Sequence, residues 1–141
     1  MLLTPDPASA ERMLLRFRDA YEEADMLTGH YFRSHDLPIL NAAYVEYGYP
    51  PLGPKLVSDT KTDLVRWKDL PKSQEYLGDL FETPQPKQGM SQHQWREANR
   101  LTPQGTNATR ARVVSDVVQH KQLRAALIER GLLGPPRVWS P

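Results

Sequence analysis

The chain has 141 residues, of which 39% are hydrophobic and 25% charged, with 13 prolines, no cysteine and a formal net charge of +1. That length suits one domain of roughly 100–150 residues, and the missing cysteines exclude disulfides, thiolate metal sites and a cysteine nucleophile. The small net charge hides a division: residues 1–83 carry nine Lys+Arg against 14 Asp+Glu, and residues 84–141 carry nine against three. Such asymmetry points either to a basic end that meets an acidic partner or to two halves packed on each other.

In chain order, Ser9 is a good N-cap, and Ala10, Met13, Leu14, Phe17, Tyr21 and Ala24 recur at helical spacing. A helix over 9–28 is predicted, with Gly29 just past its end. Pro38 suits the first turn of a second helix carrying Ile39, Leu40, Ala43, Tyr44 and Tyr47, which Gly48 stops. The stretch "YPPLGPKLVSD" is too rich in proline for a helix, and "PKLVSD" is too short to anchor a sheet. Ser58 or Thr60 caps a short predicted helix with Leu64 and Trp67. Pro71 starts another, with Tyr76, Leu77, Leu80 and Phe81 facing inward.

"ETPQPKQGM" reads as a linker at the charge boundary. Ser91 and Gln94 then form a capping box for a helix with Trp95 and Ala98 inward. "TPQGTNAT" reads as a loop. Val113, Val114, Val117 and Val118 follow helical rather than strand spacing, and Gly131 supplies a Schellman ending with Leu127 and Leu132. Leu123 and Leu127 lie off the valine face, so a break near Gln119–Lys121 is expected. The tail "GPPRVWSP" cannot be helical. The fold class is mainly α: a small bundle of five or six short helices with long proline-rich connectors and extended termini. An acidic body over 1–83, a linker over 84–90 and a basic arm with an extended tail over 91–141 are the expected divisions.

Arg96, Arg100, Arg110, Arg112, Lys121, Arg124 and Arg137 are the candidate partner or nucleic-acid contacts, since cations that neutralise phosphates release counterions. A helix pair within 107–131 has the outline of a helix-turn-helix. On a continuous helix, however, Arg112 projects away from Arg110, Lys121 and Arg124. His30, His35 and Asp36 are the metal candidates, at a spacing that does not align both histidines on one helical face. Glu46, Asp59 and Lys61 make a weaker nuclease set. Tyr31, Phe32, Tyr44, Tyr47 and Tyr49 crowd one region and suit an interface. Trp139 sits between Pro-Pro and Ser-Pro, and either docks back on its own domain or anchors a partner.

These features favour a non-enzymatic assembly or adaptor subunit of a larger complex, of the virion or ribonucleoprotein type. It binds other protein subunits or nucleic acid through its basic arm, and its proline-broken ends take their shape from the partner. A small DNA-binding regulator is the alternative, and a metal-dependent hydrolase using His30, His35 and Asp36 is the third reading. No cofactor, membrane contact or small-molecule substrate is expected. No basic region followed by an apolar stretch opens the chain, so the expected location is the cytoplasm or a particle assembled there.

Overall fold

The computed structural model describes residues 7–65, 72–84 and 89–141. The described chain forms two compact units: one holds the described residues of Asp6–Leu70 with Arg130–Pro141, the other those of Pro71–Glu129. The division therefore falls near residue 71, not at the predicted linker, most of which lies outside the described residues. The sequence of the first unit carries ten Lys+Arg against eleven Asp+Glu, and that of the second eight against six. The charge asymmetry along the chain thus does not become an asymmetry between units.

The first unit is built on a three-stranded sheet that the sequence reading lacked. Helix α1 spans Pro7–Glu23 and stops short of the predicted 28, because Met26–Gly29 leaves the helix as strand β1. A π-helical turn, Phe32–Asp36, leads into α2, Leu37–Glu46, which Gly48 ends at φ +79°. Strand β2, Lys55–Asp59, pairs parallel to β1, so the segment between them is a crossover connection. "PKLVSD" therefore supplies the central strand, and residues 61–64 form a turn and bridge instead of the predicted helix; Trp67 lies outside the described residues. Strand β3, Arg137–Trp139, completes the order β1-β2-β3 by pairing antiparallel to β2.

Leu14, Tyr21, Leu37, Tyr44, Leu52, Val57 and Trp139 make the core of this unit. Its two buried tyrosines are satisfied: Tyr44 Oη donates to the Leu14 carbonyl at 2.5 Å and Tyr21 Oη to the Gly53 carbonyl at 2.5 Å. Trp139 is only 8% exposed. Of its two readings, the structure has the one in which it docks on its own domain. The tail takes its shape from the chain's own sheet, which corrects the expectation that it is moulded by a partner.

The second unit contains α3 (Gln74–Leu80), α4 (Gln92–Asn99) and α5 (Pro103–Glu129). Ser73 caps α3, and the Ser91–Gln94 capping box closes as predicted. "TPQGTNAT" is no loop: Thr102 Oγ1 accepts from Gly105 N at 3.1 Å and Pro103 opens the helix. α5 then runs unbroken for 27 residues, so neither the break near Gln119–Lys121 nor a helix pair within 107–131 exists.

Glycines set how closely these helices pack. A Cβ on Gly105 would lie 2.1 Å from the Glu97 carbonyl carbon and 2.2 Å from the Ala98 nitrogen, both backbone atoms of α4. Gly105→Ala is therefore expected to destabilise the protein by about 1–3 kcal/mol through overpacking, despite the better helix propensity of alanine. Denaturant unfolding checks this, and unchanged stability would show that α4 yields freely. Gly78 brings α3 against α5 in the same way, with a would-be Cβ 2.7 Å from Gln119 Nε2. The overall class is mainly α with a small mixed sheet, and among the described residues no helix is long and apolar enough to cross a membrane.

Candidate functional site

Two places concentrate chemistry, one in each unit. The first lies where β2 ends in "SDTKTD". Asp59 Oδ1 accepts from the backbone N–H groups of Tyr31 (2.9 Å), Lys61 (2.9 Å) and Thr62 (3.1 Å), and Oδ2 accepts from Arg33 N at 3.0 Å. Tyr31 reaches this position through a left-handed backbone, φ 61°. Asp63 binds the Arg33 guanidinium through both oxygens, at 2.8 and 3.1 Å. It also accepts from Arg137 Nε at 3.0 Å and from Asp59 N at 2.9 Å. Burial raises the proton affinity of both carboxyls, but their donors outweigh it. The four N–H groups hold Asp59 below the ordinary aspartate range, and Arg33, the Asp59 N–H and Arg137 do the same for Asp63.

Because both folded values are depressed, the stability these carboxylates contribute is complete above the unfolded aspartate value of ~3.9. It is lost as pH falls through the lower folded values. Wild type is therefore expected to hold near-constant stability from these groups above pH ~5 and to lose it steeply below pH ~4. Asp63→Asn should flatten that loss, as read by urea unfolding across pH. An unaltered acid limb would show that Asp63 contributes nothing to it.

This cluster holds each of its carboxylate oxygens against at least one donor of the chain itself. It ties the π-helical turn, β2 and β3 together. The predicted metal set does not converge here. His30 Nδ1 lies 2.8 Å from Thr60 Oγ1, and His35 stacks on Tyr31 with ring centroids 5.9 Å apart. Burial pushes the Asp36 carboxyl above its ordinary value. Among the described residues, no group of three His, Asp or Glu side chains is placed to hold an ion. Of the nuclease set, Lys61 donates its backbone N–H to Asp59 and holds its Nζ 3.8 Å from the Tyr31 ring centroid, while exposed Glu46 ends α2. A shallow groove of about 600 Å³ runs beside α2, with Pro38, Ala42, Val45, Pro51, Trp139 and Pro141 along it. Its one ionisable side chain is Glu46, so it presents shape and little chemistry.

The second place is α5, whose amphipathicity is inverted. Gly105, Ser115, Gln119, His120, Leu123 and Leu127 are its buried residues. Gln74 Nε2 donates to Gln119 Oε1 and to the Asp116 carbonyl, both at 3.1 Å. The valines, although at the helical spacing of a packed face, are exposed: Val113 by 47%, Val114 by 57%, Val117 by 55% and Val118 by 37%, with Ile128 at 51%. At 3.6 residues per turn, Arg110, Lys121, Arg124 and Ala125 fall on the same arc of about 140°. Arg110, Lys121 and Ala125 are exposed and Arg124 is half-buried. No acidic residue lies on that arc.

The other predicted contact residues are scattered. Arg112 holds its guanidinium 5.0 Å from the Trp95 ring centroid and lies 3.8 Å from Asp116. Arg100 lies 3.8 Å from Glu97, and Arg96 is exposed on α4. Arg137 belongs to the sheet unit and is held by Asp63. Trp95, Tyr76 and Leu80, expected inward, are exposed. The sequence held a hint of this face, since cations at 110, 121 and 124 on the valine side do not suit a core, and Leu123 and Leu127 lie on the opposite side. Comparison with known proteins supplies no relative: no family model matches the chain, and no match is found among curated proteins or among solved structures.

Proposed function

We propose that this protein is a non-enzymatic assembly or adaptor subunit and that α5 is its docking helix. The observation that carries this reading is the exposed face of Val113, Val114, Val117, Val118 and Ile128 on a helix whose buried face is partly polar. A contiguous apolar stripe on a surface helix marks an interaction site, and a helix face of this kind docks through anchors at i, i+3, i+4 and i+7. Valine has little rotamer freedom to lose on docking. The saturated Asp59–Asp63 cluster supports the non-enzymatic part, because its carboxylates are committed to chain donors.

The test is the native mass of the chain isolated from its source. A mass well above 16.1 kDa is expected, returning to 16.1 kDa for Val117→Glu with unchanged helical content. A 16.1 kDa wild type ends the assembly reading.

A second reading keeps a specific observation. α4 and α5 are joined by only Arg100, Leu101 and Thr102, with Gly105 allowing close approach and Arg96 and Arg100 exposed. This has the outline of a helix-turn-helix, and a DNA-binding regulator would use it. DNA affinity falling steeply with salt, and weakened by Arg96→Ala with Arg100→Ala, is its signature.

A further inference from the structure

We infer that the occupant of the α5 face is an amphipathic helix of a different protein, with an apolar patch bracketed by carboxylates. This rests on the docking role proposed for α5 and adds the chemistry of the partner. Along the exposed arc the order is Arg110, then the four valines, then Lys121 and Arg124. At 1.5 Å per residue, Lys121 and Arg124 stand about 16 and 21 Å along the axis from Arg110. About one and a half turns of valine thus lie between cations, and both ends of this valine patch are positive, with Ile128 beyond Arg124.

A complementary helix carries Asp or Glu at i, apolar residues at i+3, i+4, i+7 and i+8, and Asp or Glu at i+11 or i+14. Flanking charges of this kind set partner choice in helix pairing. A second copy of α5 is disfavoured by the same geometry. Parallel pairing sets Arg110, Lys121 and Arg124 each against itself, and antiparallel pairing centred on Val117 sets Arg110 against Arg124. Like charges across such an interface act as repulsive selection against the wrong partner. An anionic membrane surface would also suit the cations. However, helices that lie in the interface use Trp, Phe or Leu on the apolar face, and the apolar side chains exposed among the cations of this arc are valine, alanine and isoleucine.

The probe is a fluorescein-labelled helical peptide with leucine at the four apolar positions and glutamate at i, i+11 and i+14. Its control has lysine at those three positions. Both are titrated with the full chain and followed by anisotropy. The glutamate peptide is expected to bind at least tenfold tighter than the lysine peptide. The preference should shrink as salt rises from about 50 to 500 mM, because partly exposed charges are screened. Arg110→Glu with Lys121→Glu should abolish or reverse it, and Val117→Glu should weaken both peptides while circular dichroism stays unchanged. Equal binding of the two peptides, or no binding of either, overturns the acidic occupant. So does uptake by phosphatidylserine vesicles without glutamate-peptide binding, or dimerisation of the chain alone that Val117→Glu abolishes. A high native mass with no glutamate preference sinks this inference and leaves the assembly reading standing; a monomeric native mass sinks both.

Discussion

Asp63→Ala is expected to destabilise the protein by about 3–5 kcal/mol, the range for removing one partner of a buried ion pair. The Asp63 side chain is 1% exposed, and its neighbour Arg33 is 13% exposed. Removing the carboxylate leaves the Arg33 guanidinium with the Thr62 hydroxyl and the Val57 carbonyl but without its bidentate counter-charge. Arg137, at 56%, regains solvent and contributes less. Most of the effect therefore comes from Arg33, and Arg33→Met added to Asp63→Ala should destabilise much less than Arg33→Met alone. A double-mutant cycle from urea unfolding measures that coupling. A near-additive cycle would mean the two side chains do not act as a pair. Hydrogen exchange should also show faster opening of the amides in 137–139, since Asp63 is a side-chain partner of that strand through Arg137.

Trp139→Ala carries the second large effect, about 3–5 kcal/mol, as for other buried Phe or Trp truncations. Trp139 belongs to one core cluster with Leu14 of α1, Tyr44 of α2, Leu52 of the connector after α2 and Val57 of β2, so the cavity opens within the sheet unit's core. The blue-shifted emission that buried Trp139 contributes should be lost with it. Deleting 134–141 is expected to do at least as much harm, because it also removes the strand paired with Lys55, Leu56 and Val57. A tail serving only as a partner anchor would behave in the opposite way: its loss would leave thermal and urea stability untouched. Unchanged unfolding of Trp139→Ala would return the tail to that role. These substitutions act on the sheet unit, whereas Val117→Glu alters an exposed side chain of α5, so stability and partner binding can be separated by experiment.

Local signals in the sequence determined a good deal. The capping box at Ser91, the stops at Gly48 and Gly131, the N-terminal apolar stripe and the non-helical tail each rest on a few neighbouring residues, and each is present. Helical spacing at 113–118 likewise identified a helix there, but neither its start at Pro103 nor its unbroken run to Glu129. What local pattern could not determine was the company each segment keeps. β1, β2 and β3 have four, five and three residues, too few to show alternation, and they become strands only because residues far apart in the chain supply each other's hydrogen bonds. Trp139 is buried because β3 returns to β2 across about eighty residues of chain. Arg33, Asp63 and Arg137 meet for the same reason. The valines of α5 have the spacing of a core face, yet glycines at 78 and 105 bring α3 and α4 against the other side of the helix. Periodicity identifies a helix and divides its faces; only the packing of its neighbours decides which face is turned to water.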